Sequence, residues 1–194
     1  MAPLHDDAGA ASVSFVLAFP IFLTIVAIIV QMALMVNAKV VVTHAADSAA
    51  RAAATSLPDG KPENVERAAW MALAPLSPQA QSPVAAEAAA DYDALRRMGV
   101  DVPESFPARY TYATEATAVS WSPDVDFSRS EGQEVEVTVT YRFQLTVPGA
   151  MKMAAADDDT VAGVKGRFWE VTARSRVQTA HGRKARAYDD GWPR

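Results

Sequence analysis

Between Val13 and Val36 the chain runs VSFVLAFPIFLTIVAIIVQMALMV, with no charged residue and only Ser14, Thr24 and Gln31 as polar side chains. At about 1.5 Å per helical residue, a stretch of this length reaches past the roughly 30 Å of bilayer hydrocarbon. Fifteen of its 24 residues are Leu, Ile, Val or Phe. Each is worth a few tenths of a kcal/mol on insertion, so a sum of roughly several kcal/mol outweighs Gln31 and the interruption at Pro20. The run therefore predicts a single-pass transmembrane helix over 13–36, with membrane lipid as its first partner. Pro20 lacks an N–H and crowds the carbonyl of Val16, which predicts a kink. A cleaved secretory signal competes with this, because Val36-Asn37-Ala38 loosely fits a small-residue cleavage site. Against it, the run is too long and the first twelve residues hold no Lys or Arg.

The flanks speak weakly about orientation. Asp6 and Asp7 precede the run while Lys39 and Arg51 follow it, and positive charge alone favours a cytoplasmic C-terminus. Elsewhere, 194 residues with a net charge of -5 predict one modest domain. That charge is too small and mixed for a nucleic-acid partner. The basic stretch from Lys165 to Arg186 is expected to comprise outward strand positions and a solvated tail. Cysteine is absent, which excludes disulfides, thiolate nucleophiles and Cys-based zinc sites.

Helical character continues beyond the apolar run. Residues 37–56 contain no Gly or Pro and are rich in Ala. Lys39, Thr43, Asp47 and Arg51 share one face, leaving Val41 or Val42, Ala45, Ala49 and Ala52 to pack elsewhere. Leu57-Pro58-Asp59-Gly60 ends this helix. Further helices are predicted over 62–74 and 84–98, the second with Val84, Ala88, Leu95 and Met98 as apolar positions, separated by a Pro-punctuated connector. An irregular 100–108 follows. Tyr110–Thr114 and Ala116–Trp121 read as β-prone. The strongest local signal is 134–147, EVEVTVTYRFQLTV, whose seven alternations predict a half-buried antiparallel strand. A last strand is expected over about 168–180. The expected class is α+β: a flank over 1–12, the span and its continuation, helices over 57–108, a small antiparallel sheet over 109–180 and a polar tail over 181–194.

The segment Gly9-Ala10-Ala11-Ser12-Val13-Ser14-Phe15-Val16-Leu17-Ala18-Phe19-Pro20 resembles the N-terminal signature of TadE-like proteins, the minor pseudopilins of tight-adherence (Flp-type) pilus systems. That signature is a Gly, small residues, a Glu followed by an aromatic, and an apolar run broken by Pro. The Ala- and Arg-containing stretch from Ala45 to Ala54 is similar to the helix that follows the anchor in this family. The resemblance implies a pilin-like shape and prepilin peptidase processing at Gly9 and Ala10, with Ser14 and Phe15 in the recognition segment. It also implies an inner-membrane anchor in a bacterium and an extracytoplasmic C-terminal domain, opposite to the charge argument. One position departs: Ser14 stands where the family has Glu. In the family this Glu pairs with the new N-terminal amine, and serine supplies only a hydrogen bond.

No catalytic or metal site is legible. His5, His44 and His181 are far apart in sequence and at no ligand spacing. Asp157-Asp158-Asp159 lacks the alternating oxygen ligands and Gly of an EF-hand and reads as a solvated acidic loop. Ser14 has no base nearby, and the Asp91/Asp93 and Glu134/Glu136 pairs are ordinary surface carboxylates. No cofactor is expected, and the chain is read as a non-enzyme. GAMKMAAA, 149–156, reads as core or turn packing, with a loop tip touching a partner or the membrane as the alternative. Trp70, Trp121, Trp169 and Trp192 read as packing residues. The expected function is assembly: Phe19, Pro20, Leu23, Ile28 and Gln31 would pack the membrane helix against other pilin-like subunits or secretion machinery. A single-pass, membrane-tethered extracytoplasmic binding or sensor protein is the alternative of a different class.

Overall fold

The computed structural model describes residues 7–57, 61–122, 134–147 and 157–178. Its first element is a 50-residue helix, α1 (Asp7–Ser56), which carries Pro20 inside it without ending there. Three short helices follow, α2 (Glu63–Leu73), α3 (Ala86–Arg97) and α4 (Phe106–Ala116). The chain then forms β1 (Thr117–Ser122), β2 (Glu134–Leu145), β3 (Asp157–Val161) and β4 (Val164–Gln178). These make one antiparallel sheet in the order β1-β2-β4-β3. The architecture is α+β, with a long apolar N-terminal helix leading into helices and a small sheet.

Strand β2 is central because of its alternation. Val135, Val137, Val139, Tyr141, Phe143 and Leu145 are buried on one face, as the period-2 pattern requires. On the other face polar side chains pair across strands. The Thr140 and Thr172 hydroxyls lie 3.1 Å apart, Arg176 Nε donates to Glu136 at 2.9 Å, and an Arg142 Nη2 donates to Asp159 at 2.5 Å. The second half of α1 lies on the apolar face. Its contact stripe, Ala38, Val42, Ala45, Ala46, Ala49, Ala50 and Ala53, is fully or almost fully buried. Methyl-sized side chains let the helix axis approach the sheet closely, so the strands' Val and Tyr side chains fill the layer between. Asp47 and Ala52, read respectively as outward and packing, are both half-buried beside this stripe.

Several elements differ from expectation. The β-prone Tyr110–Thr114 lies in α4, and the sheet begins at Thr117. Three features override the strand propensity of Tyr and Thr. Pro107 sits in the helix's first turn. Thr111 and Thr114 direct their hydroxyls back to the carbonyls of Pro107 and Thr111, at 2.9 and 2.8 Å. Burial of Tyr110, Tyr112, Ala113 and Ala116 completes the preference, since helical spacing turns these side chains into two adjoining cores. Phe106 and Pro107, in the stretch read as irregular, belong to the same helix. Asp157–Asp159 is strand β3 rather than a loop: an edge strand tolerates acidic side chains, and Asp159 pairs with Arg142. β4 starts at Val164, earlier than expected. Val84 and Met98, read as apolar packing positions, lie outside α3 and are exposed.

The β3–β4 connection is a two-residue turn with both residues at positive φ, Ala162 at 50° and Gly163 at 76°, as a type I′ hairpin demands. The Ala162 carbonyl accepts the N–H groups of Gln81 and Ser82 at 2.9 and 3.0 Å, clamping the connector before α3 onto the hairpin. A Cβ at Gly163 would stand 3.0 Å from Ser82 N and 3.1 Å from the Gln81 carbonyl carbon. Gly163→Ala therefore combines left-handed strain with a backbone clash. It should lower unfolding free energy by about 1–3 kcal/mol in urea titration.

Three tyrosines are buried at the junction of helices and sheet. Tyr112 donates to the Arg142 carbonyl at 3.1 Å, and Tyr141 shares a 3.0 Å hydrogen bond with Ser77 Oγ. Desolvation opposes their ionisation: the Tyr110 and Tyr112 phenols are raised well above the ordinary value, and Tyr141 is raised to about 12. A raised folded pKa means a contribution to stability that is complete below the unfolded value near pH 10. It is lost as pH climbs through the folded values. Of five tyrosines, at least these three should show no phenolate absorbance around pH 10 to 11, then ionise together with alkaline unfolding.

Candidate membrane anchor and assembly surface

From Phe15 to Val30, α1 touches almost nothing among the described residues. Phe15, Leu17, Ile21 and Phe22 are each more than 60% exposed, and Phe19 and Leu23 are also exposed. Ile28 is half-buried. The Phe15 and Phe19 rings stack at 5.5 Å, one helical turn apart. Thr24 spends its hydroxyl inside the helix, donating to the Pro20 carbonyl at 2.8 Å, so it offers lipid no unmet donor. Gly9, Ala10 and Ser14 lie within the same continuous helix. Among the described residues, α1 is the one helix long and apolar enough to cross a membrane.

The sheet domain closes on the helix at Gln31. This side chain is buried, and its Oε1 accepts the Val147 N–H at 3.2 Å, just past the end of β2. Leu34 and Met35 pack partly against the same core, and Ala38 begins the alanine stripe. The uncovered length from Phe15 to Gln31 is about 24 Å at 1.5 Å per residue. That is most of the roughly 30 Å of hydrocarbon. Gln31 thus faces its own domain. The one polar amide late in the apolar run is matched to a backbone donor, which lowers the cost of placing it near lipid; its Nε2 has no partner.

On the opposite side of α1, Ile29, Met32, Val36 and Val40 form an exposed apolar stripe, between 58% and 63% accessible. It continues from the uncovered half into the sheet-bearing half, where neighbouring Lys39 and Thr43 are also exposed. The outward face read from sequence contained only Lys39, Thr43, Asp47 and Arg51. The apolar positions beside them were legible in their i, i+4 spacing, but only the packing of Ala38 and Val42 shows that this face is free.

Other candidates resolve into packing. Asp91 is almost completely buried and forms a two-point ion pair with Arg67, whose Nε lies 2.9 Å from Oδ2. Hydrogen bonding to Asp91 raises the Arg67 pKa. Beside them Trp70 meets Tyr110 edge-on at 6.3 Å. Asp91 and Asp93 are therefore no pair: Asp93 is exposed. Glu134 and Glu136 share the polar face of β2, and Glu136 is engaged by Arg176 and Arg174. His44 is exposed on α1. Lys165, Arg174 and Arg176 point outward on β4 as expected. Trp70, Trp121 and Trp169 pack against the core. His5, His181, Trp192, the basic residues beyond Arg176 and the GAMKMAAA stretch lie outside the described residues.

No curated protein and no solved structure matches this chain. A family model does match, over residues 9–51, and its description is TadE-like protein. The matched segment begins near the start of α1, crosses the uncovered apolar half and ends within the alanine stripe that carries the sheet. Over its anchor and supporting helix, residues 9–51, the chain is similar to TadE-like proteins.

Proposed function

We propose that the chain is a minor pilin-like subunit that takes part in assembling a tight-adherence pilus or a related secretion apparatus. The observation that carries this is the two-part α1, one half uncovered and long enough for most of a bilayer's hydrocarbon, the other bound to a sheet, coinciding with the TadE-like segment. The apolar half holds the subunit in the bacterial inner membrane with the sheet domain on the extracytoplasmic side. During assembly Phe19, Leu23 and Ile28 exchange lipid for the helices of partner subunits, with Pro20 shaping the helix at that contact. The Ile29–Val40 stripe carries the same contact out of the lipid. A prepilin peptidase cuts between Gly9 and Ala10, using the segment through Ser14 and Phe15. The function is mechanical and requires no cofactor.

A lysine at a membrane helix centre costs about 2.5–3.5 kcal/mol. Leu23→Lys should release the protein from carbonate-washed membranes, and a wild type that is fully soluble and fully functional would overturn the anchor. Because the chain has no cysteine, Val36→Cys or Val40→Cys creates a single crosslinking site. Crosslinks from these positions should capture a pilin-like subunit, whereas Arg51→Cys on the polar face should not; equal capture from all three sinks the assignment of the stripe. For processing, intact mass of membrane-purified protein should place Ala10 first, and a mass beginning at Met1 excludes cleavage.

A further inference from the structure

Where α1 leaves the apolar run, a cavity of about 290 Å³ opens between the helix, the connector after α2 and the end of β2. Leu34, Leu76 and Phe143 supply apolar wall, Asn37 and Gln144 supply amides, and Arg109 supplies the one cation among the described residues, of which none lining the cavity is acidic. Arg109 Nη1 donates to the Pro75 carbonyl at 3.1 Å, while its buried Nε has no hydrogen-bond partner. A guanidinium held at one corner with an unmet donor favours an anionic oxygen, and phosphate matches its geometry. The cavity's level narrows the choice of anion. Leu34 lies three residues beyond Gln31, inside the apolar run, and Asn37 is the first residue after it. With the run immersed, the cavity stands at the height of lipid headgroups.

We propose that this cavity binds the headgroup of an anionic phospholipid, its phosphate on Arg109, its polar headgroup within reach of Asn37 and Gln144, and its first acyl carbons against Leu34 and Phe143. The proposal rests on the membrane-anchor reading. Charge complementarity and continuity with the lipid-facing helix select a lipid over a soluble phosphate, which would leave the apolar wall uncovered. Bound lipid would fix the height and tilt of the sheet domain over the bilayer.

The test uses the full chain in phosphatidylcholine nanodiscs, with the Arg109 Nε–Hε resonance assigned by its absence in Arg109→Gln. Replacing phosphatidylcholine by phosphatidylglycerol at constant total lipid should move this resonance saturably. Native mass spectrometry should show phosphatidylglycerol retained by the wild type and retained about tenfold less by Arg109→Gln, as for loss of one charge-assisted contact. Asn37→Ala, at an exposed helix position that leaves the Arg109–Pro75 bond intact, should reduce retention by about two- to fivefold and keeps the test decisive if Arg109→Gln unfolds. An unmoved resonance, or equal retention in wild type and both variants, overturns the proposal. So does an equal shift produced by inorganic phosphate in phosphatidylcholine discs. A chain that never partitions into membranes overturns the anchor reading and this site together, whereas a membrane-retained chain with no lipid response overturns the site alone.

Discussion

Close approach between α1 and the sheet sets the geometry of everything else. Ala45, Ala46, Ala49, Ala50 and Ala53 present little more than methyl groups to a surface of Val135, Val137, Val139 and Tyr141. Each alanine buries little area by itself, but together they bring a helix and two strands, β2 and β4, into contact along some three turns. Enlarging any of them would push the rod off the sheet and open the layer that shields the tyrosines. Helix α2 packs along α1, and α4 rests its Tyr112 on Tyr141, so both depend on where α1 lies.

The polar side of the sheet is maintained differently. Crossed pairs such as Arg142 with Asp159 and Arg176 with Glu136 each have one exposed and one half-buried partner, and solvent screening leaves each worth little. Their fully apolar exception is Phe168, buried on that face with the Arg142 guanidinium 5.6 Å from its ring. The Arg67–Asp91 pair belongs to another regime. Asp91 is desolvated, so its carboxylate depends on Arg67 for compensation, and the small cluster around Tyr110 holds α3 against the rest.

The α+β class, the continuous α1 and strand β2 were legible because each rests on a single periodic signal over a dozen or more residues. Those signals are strong wherever one face is buried and the other is wet. The α4 helix was hidden because Tyr and Thr carry strand propensity, and only tertiary burial reverses it. β3 was hidden because three consecutive aspartates look like a solvated loop until the basic face of β4 lies beside them. Asp91 looked like a surface carboxylate because its partner is 24 residues away. The cavity at Arg109 was invisible for a related reason: it gathers side chains from α1, the connector, α4 and β2, and no local pattern announces such a meeting. The resemblance to TadE-like proteins could be read in residues 9–56, of which the family model matches 9–51, because it is written in local order: small residues, aromatic, apolar run, proline.

An unbroken α-helix also sets an azimuth. Each residue turns the backbone by about 100°, so the exposed apolar stripe of α1 and the side that carries the sheet are phased against each other by residue count alone. One residue inserted between Leu23 and Gln31 would leave the hydropathy nearly unchanged yet swing the sheet, held at both Gln31 and Ala38, by more than a quarter turn relative to the apolar half of the rod. The number of residues between the apolar half and Gln31 is therefore as much a specification of the subunit as any side chain upon it.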